Sequence, residues 1–247
     1  MSREVWQAES RDVEDIVGGR HGNAFGVLGL HEVAGQWVLR AFLPGAETVS
    51  AFTLDDVALG HLIPRHGSGF FEGIVALDER QPIRLHAKNA GGEWDVFDPY
   101  SFGPVLGPMD DYYIGEGSHL RMFDKLGAHE MEFEGIHGTH FAVWAPNAKR
   151  VSVVGPFNHW DGRRHPMRNR NGIWEVFIPV LGTGTLYKYE IVAANGTVLP
   201  LKADPMARQS ELRPRNASVV PDPTPFTWSD QAYMDERANK DWRRAPM

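Results

Sequence analysis

The sequence predicts an all-β protein, built as two tandem immunoglobulin-like β-sandwiches with a short N-terminal helix and a C-terminal connector. Three observations carry that prediction. First, short alternating runs such as "QWVLRAFLP", "THFAVWAP", "RVSVVG", "IWEVFIPV" and "YKYEIVA" are separated by Gly, Pro, Asn and Asp clusters at intervals of about ten residues. Second, the chain matches itself. "LGLHE" at 28–32 returns as "LGAHE" at 126–130, "FLPGAETVS" at 42–50 as "WAPNAKRVS" at 144–152, and "FFEG" at 70–73 as "IWEV" at 173–176. Arg84-Leu85 then lines up with Lys188-Tyr189, and "FDPY" at 97–100 with "ADPM" at 203–206. The offset grows slowly, as expected when one β-sandwich of about 100 residues is duplicated and the copies diverge by small loop insertions. Third, 247 residues at 42% hydrophobic and 23% charged leave room for two cores.

In chain order, a helix over 10–18 opens the first unit, residues 1–118. Val13, Ile16 and Val17 fall at i, i+3 and i+4, Ser10 is positioned as its N-cap, and Gly18-Gly19 stops it. The second sandwich occupies 119–222. From 223 the composition changes: "PDPTPFTWSD" is too proline-rich for regular structure, because each proline removes a donor and restricts its predecessor. The large rings of Trp228, Tyr233 and Trp242 then have no visible element to pack on, which reads as a connector over 223–247 leading into something further.

Composition narrows the function. The net charge is −7 and no Lys/Arg block tracks a phosphate backbone, so nucleic acid is not an expected partner. No apolar run reaches the ~18 residues of a membrane span, and no export signal is visible at the start. With no cysteine, thiolate nucleophiles and Cys-zinc sites are excluded, and a cytoplasmic setting is expected. The sequons at Asn195 and Asn216 are then chance occurrences.

Catalytic signals are missing. The paired acids Asp55-Asp56, Asp78-Glu79 and Asp110-Asp111 read as turn and solvent-face residues rather than an opposed catalytic pair. No G-x-S-x-G elbow or H-E-x-x-H occurs, "HGTH" (His137, His140) is placed in a strand-entry loop without a matching carboxylate, and "GTGT" at 182–185 has no following helix. No catalytic residue, metal or cofactor is expected.

Binding chemistry is visible instead, in "VGPFNHWDG" at 153–161. Phe157 and Trp160 flank two polar residues beside an Asp-Gly turn, and the first copy has "AFTLDDVALGH" there, without the ring. An indole held at a turn presents a flat apolar face to the C–H side of a sugar ring, while Asn and Lys side chains bond its hydroxyl rim. Lys188 alternates with Tyr187 and Tyr189, so core tyrosines put it on the outer sheet face. Trp144, inside an alternating strand, is expected to be packed. Trp174 matches Phe71 of the first copy, which favours a scaffold role, although it joins Trp160, Lys188 and Asn158 in the candidate sugar-binding set.

The run "HFAVWAPNAKRVSVVGPFNHWDGRRHPM…GIWEVFIP…LYKYEI…KADPMA" resembles the family-48 carbohydrate-binding module that precedes the catalytic barrel of α-amylase-superfamily enzymes. "NAFGVLGLHE" and the degenerate sandwich ahead of it are similar to the N-terminal region of bacterial glycogen branching enzymes. The resemblance covers essentially the whole chain. It implies a parent that cleaves α-1,4 bonds of glucan and re-attaches the segment as an α-1,6 branch, by a retaining mechanism with an Asp nucleophile and a Glu acid/base. Those residues belong to a C-terminal (β/α)₈ barrel of about 250 residues, for which this chain has no room. The expectation is therefore a fragment, a monomer, that binds glycogen or linear malto-oligosaccharide, braces a barrel in cis and does not branch glucan alone. By the same resemblance Trp160 matches the module's first stacking ring, Lys188 its strand lysine and Asn216 its late asparagine. A second ring common in the family is replaced here by Val198 or Leu199 in "ANGTVLPLKADP", which removes one wall of the cradle. Two other readings stay open: a free-standing α-glucan-binding protein, and the front end of a debranching or trehalose-forming relative.

Overall fold

The computed structural model describes residues 4–224 and 227–237. An eight-residue helix α1 (Ser10–Val17) packs Val13 and Ile16 inward. Ser10 is the first helical residue rather than the cap. Glu9 holds the cap position in extended geometry and makes no side-chain capping bond, while the Gly18 amide closes the end on Glu14 O at 2.9 Å.

Seven strands follow: β1 (Gly29–Val33), β2 (Gln36–Phe42), β3 (Thr48–Phe52), β4 (Ala58–His66), β5 (Phe70–Val75), β6 (Arg84–Asn89) and β7 (Gly92–Phe97). All pair antiparallel in one sheet of order β1-β2-β5-β4-β3-β6-β7. The sheet is folded over its own core, and β4 forms the corner by pairing Leu62 with Val49 of β3 and Ile63 with Glu72 of β5. Leu39, Val49, Leu62, Phe71 and Leu85 meet inside. Strand alternation explains the division: β2 sends Leu39 and Ala41 to this core and Val38, Arg40 and Phe42 to the other face.

A second helix α2 (Pro108–Gly115) leads into β8 (Gly127–Phe133), β9 (Ile136–Trp144), β10 (Ala148–Val154), β11 (Arg168–Arg170), β12 (Ile173–Pro179), β13 (Leu186–Ala193), β14 (Gln209–Ser210) and β15 (Ser218–Val219), and α3 (Gln231–Arg237) lies beyond. Two four-stranded sheets, β11-β12-β9-β8 and β10-β13-β15-β14, enclose Phe141, Val151, Val153, Trp174, Val176, Tyr187 and Tyr189. Both halves are thus antiparallel β-layers around separate cores, as the sequence predicts. Among the described residues, no helix is long and apolar enough to cross a membrane.

The two halves repeat one another in detail. β1-β2-β5 and β8-β9-β12 share their order, and β3 pairs with β6 as β10 pairs with β13. His31 Nε2 lies 3.1 Å from Leu28 O, and His129 Nε2 lies 2.9 Å from Leu126 O. Gly29 and Gly127 both have positive φ, and a Cβ on either would run into the carbonyl of Tyr100 or Met206 respectively. The repeat also reaches upstream of the strands. α1 and α2 are both eight residues long, and His21 faces Asp12 at 3.5 Å as His119 faces Asp110 at 3.2 Å.

Each copy also buries one glutamate on the outer face of the equivalent strand, where it anchors the segment leading into that copy. Glu72 accepts from Ala8 N at 2.8 Å and pairs with Arg65 at 2.6 Å and Arg40 at 3.5 Å. Glu175 accepts from Val105 N at 3.1 Å and Leu106 N at 3.0 Å, with His140 at 3.0 Å and Arg170 at 3.3 Å. Burial would raise the Glu175 carboxyl, but hydrogen bonding and charge from His140, the Leu106 amide and Arg170 outweigh it and hold the group below the ordinary carboxylate range. His137 and His140 therefore lie within β9 instead of a strand-entry loop, and His140 does have a carboxylate partner. Asp111, expected on a solvent face, bonds Arg170, and Asp110 closes the start of α2 on Gly107 N at 3.0 Å. The partition expected at 118/119 thus cuts a segment that packs on the second sheet, where Leu106, Leu126, Ala142 and Ile173 form one cluster.

Candidate functional site

The loop between β10 and β11 carries the distinguishing chemistry. β10 ends at Val154, and Gly155 turns the chain where a Cβ would meet Leu186 O and the Phe157 ring. A 3₁₀ turn, Pro156–Asn158, follows. Asn158 is 1% exposed, and its amide is fully used within the loop. Its Oδ1 accepts from Gly155 N at 2.9 Å, and its Nδ2 donates to Val153 O at 2.8 Å and contacts His165 Nδ1 at 2.9 Å. His165 is buried, and desolvation pushes its imidazole down to about 4, with Arg164 acting the same way and Asp161 opposing. It is therefore neutral at pH 7 and its Nδ1 accepts from Asn158.

Around this hub the backbone takes an unusual path. His159 and Trp160 have φ of 58° and 59°, two successive non-glycine residues in the left-handed region, where each costs about 1–2 kcal/mol. The cost is met by fixed bonds: Trp160 N donates to Gly155 O at 2.9 Å and Asp161 N to Asn158 O at 3.1 Å. Asp161 then accepts from Arg163 N at 3.0 Å and Arg163 Nη2 at 2.8 Å. Burial would raise its carboxyl, yet these bonds and the charge of Arg163 and Arg164 hold it low. The result is an indole 38% exposed on a loop held in place by its own hydrogen bonds.

Beside it, Lys188 of β13 stands opposite Val154 in the ladder, next to Gly155. Tyr187 and Tyr189 are 0% and 1% exposed, so alternation puts Lys188 on the outer face, as the sequence implies. Its Nζ donates to Asn216 Oδ1 at 2.6 Å, just ahead of β15. Of the ammonium's three donors, two remain for other acceptors. Arg150 bonds Gly162 O at 2.8 Å and also Glu190, the next outward residue of β13, fastening the loop to the sheet. The Trp160 loop and the Lys188–Asn216 pair thus meet the sheet at the same point, the end of β10: Trp160 N bonds Gly155 O, and Lys188 stands opposite Val154.

Other expectations are corrected. Trp174, placed in the glucan-binding set, is 1% exposed, packs in the core and donates from Nε1 to Ala145 O at 3.0 Å. No ligand reaches it, and its match to Phe71, also buried, marks a scaffold position. Asn158 likewise has no amide group free for a sugar; its part is to shape the loop. Trp144, expected to pack, is 61% exposed, because Phe141 and Val143 face the core and alternation turns Trp144 outward. Val198 and Leu199, which stand where a second ring would be, lie near Ile191: Val198 bridges Val192, and Leu199 N bonds Ile191 O at 2.9 Å. Leu199, Ala145, Ala148 and Ile191 form a shallow aliphatic hollow in place of an aromatic wall. Of the late rings, Trp228 and Tyr233 are 74% and 51% exposed, and Trp242 lies outside the described residues.

The second sandwich falls within a family of carbohydrate-binding modules. Residues 125–207 match the family described as carbohydrate-binding module 48 (isoamylase N-terminal domain), and residues 9–100 match that described as alpha-1,4-glucan branching enzyme GlgB, N-terminal domain. The chain belongs to the 1,4-alpha-glucan branching enzyme GlgB family, as its N-terminal part. It is 61% identical over 239 residues to that enzyme of Mesorhizobium japonicum and 60% identical over 238 residues to that of Rhizobium meliloti, covering 96% of this chain in each case. It spans about a third of the length of these curated relatives, 32% of each. Among solved structures, an Anoxybacillus pullulanase aligns over 78% of this chain and 28% of its own, at 20% identity and a TM-score of 0.32.

Proposed function

We propose that this chain binds α-glucan on the rim formed by Trp160, Lys188 and Asn216, and that within a longer branching enzyme it holds glycogen or a linear malto-oligosaccharide for a catalytic barrel in cis. The observation that carries the reading is the exposed indole beside a Lys–Asn pair with donors to spare, inside a stretch that matches a carbohydrate-binding module. The indole stacks on the C–H face of a glucose ring, and the ammonium and amide bond its hydroxyls. With one aromatic wall replaced by aliphatic side chains, each contact is weak, and a polymer gains from engaging several units at once. The first sandwich serves as a brace, and the second, with the segment around Leu106 that packs on its sheet, as the binding unit.

Affinity electrophoresis through a glycogen-containing gel tests this reading. Trp160→Ala is expected to migrate faster than the wild type, with an affinity about fivefold lower for the loss of roughly 1 kcal/mol of stacking. Equal retardation of the two proteins would remove the indole from the site.

A further inference from the structure

The cavity of greatest chemical interest lies outside that rim, where the two halves meet. The folded sheet of the first half is open along one side, between the end of β2 and the edge strand β7. Trp94 and Val96 pair with the core residues Ala87 and Leu85, so they share the inner face and stand at this mouth. The second half roofs it with Phe157, His159 and Arg164, leaving a cleft of about 300 Å³, within the range of small-ligand sites. Trp94 is 36% exposed.

Two residues lining the cleft each carry a buried polar atom with no hydrogen-bond partner. Asp98 is 2% exposed; its Oδ1 accepts from Tyr100 N at 3.2 Å, while Oδ2 is left unpaired. Arg164 donates through Nη2 to Pro44 O at 3.3 Å, but its Nε is unpaired, with Asp161 Oδ2 at 3.8 Å, beyond hydrogen-bond reach. A buried acceptor without a donor and a buried donor without an acceptor are each costly. A sugar hydroxyl is both donor and acceptor, so neighbouring hydroxyls of one ring can satisfy both while an aromatic wall takes the C–H face.

We propose that this cleft is a second carbohydrate site, taking one or two glucosyl units of an α-1,4-glucan against Trp94, Asp98 and Arg164. The inference rests on the reading that the chain binds α-glucan. His159 lines the cleft and Trp160 follows it at the rim, so opposite sides of one loop contact the polymer. A glucan passing over the loop engages both halves together, which raises its retention without tighter individual contacts.

Fluorine NMR of 5-fluorotryptophan-labelled protein, titrated with maltotriose, tests the site. The Trp94 and Trp160 resonances are assigned by Trp94→Phe and Trp160→Phe, and the buried Trp174 resonance reports folding. The Trp94 resonance is expected to shift saturably even in Trp160→Ala, and Asp98→Asn is expected to weaken that response about fivefold, the worth of one hydrogen bond. Should Asp98→Asn disturb the Trp174 resonance, Arg164→Gln gives the same reading. A Trp94 resonance that stays still while Trp160 responds overturns the second site and leaves the rim intact. A Trp94 response without one at Trp160 overturns the rim and keeps the cleft, and silence at both overturns both. A Trp94 shift indifferent to Asp98→Asn and to Arg164→Gln overturns the cleft as its origin.

Discussion

An indole in this chain is buried or offered according to the side of the strand on which it falls. Trp174 shares the inner face of β12 with Val176 and Ile178, whereas Trp144 takes the outer face of β9. Trp174→Ala is therefore expected to cost about 3–5 kcal/mol in urea unfolding, and Trp144→Ala to change stability by less than about 0.5 kcal/mol. Equal losses would mean that the two rings are packed alike. Strand alternation in "THFAVW" leads the sequence reading to pack Trp144, whereas the structure turns it outward, because Phe141 and Val143 take the core face of β9. What the sequence did not reveal is whether anything covers that face: the segment around Leu106 covers Ile173 and Ala142 but leaves Trp144 in the open. Cover of this kind comes from residues distant in the chain, and no local pattern records it.

At the scale of the loop, one neutral histidine supports the platform. The His165 imidazole is held near 4 against an ordinary 6.5, so its contribution to stability is complete above pH 6.5 and is lost as the pH falls from 6.5 towards 4. Protonation also removes the acceptor for Asn158 Nδ2. Asp98 runs the other way: burial pushes its carboxyl up to about 7, so it destabilises increasingly as the pH rises from 3.8 to 7. The two slopes oppose each other in the wild type. Subtracting a His165→Gln unfolding profile from that of the wild type isolates the histidine, and the difference is expected to change by up to about 3 kcal/mol between pH 7 and pH 4. A flat difference would show that His165 is not held neutral. The Asp-Gly turn and its tryptophan could be read directly from "PFNHWDG". The service of Asn158 could not, because an asparagine beside a candidate stacking ring looks like a ligand donor until its partners Val153, Gly155 and His165 are known.

For the molecule as a whole, the duplication was legible where letters survive, as in "LGLHE" and "LGAHE", and illegible where only shape survives. "SRDVEDIV" and "PMDDYYIG" occupy equivalent helices with few residues in common. The boundary expected at 118/119 therefore leaves the leading segment of the second copy with the first. Its packing yields a prediction: residues 102–224 should unfold cooperatively in urea, whereas residues 119–224 should be less stable by about 3–5 kcal/mol, because the deletion strips Leu106 from its cluster with Leu126, Ala142 and Ile173 and removes two amide donors from Glu175. Matching urea midpoints would make that segment a passive linker. The halves are also pinned to one another. Phe25 packs edge-on against Tyr100 at 4.9 Å with Arg168 over its face at 4.1 Å, Tyr100 Oη donates to Arg164 O at 3.1 Å, and Arg163 Nη1 reaches Val17 O at 3.4 Å. Such a joint makes a bracket rather than a rope: under the proposed function, a polysaccharide caught on the outer indole is presented at one bearing, and its free end is steered instead of left to wander.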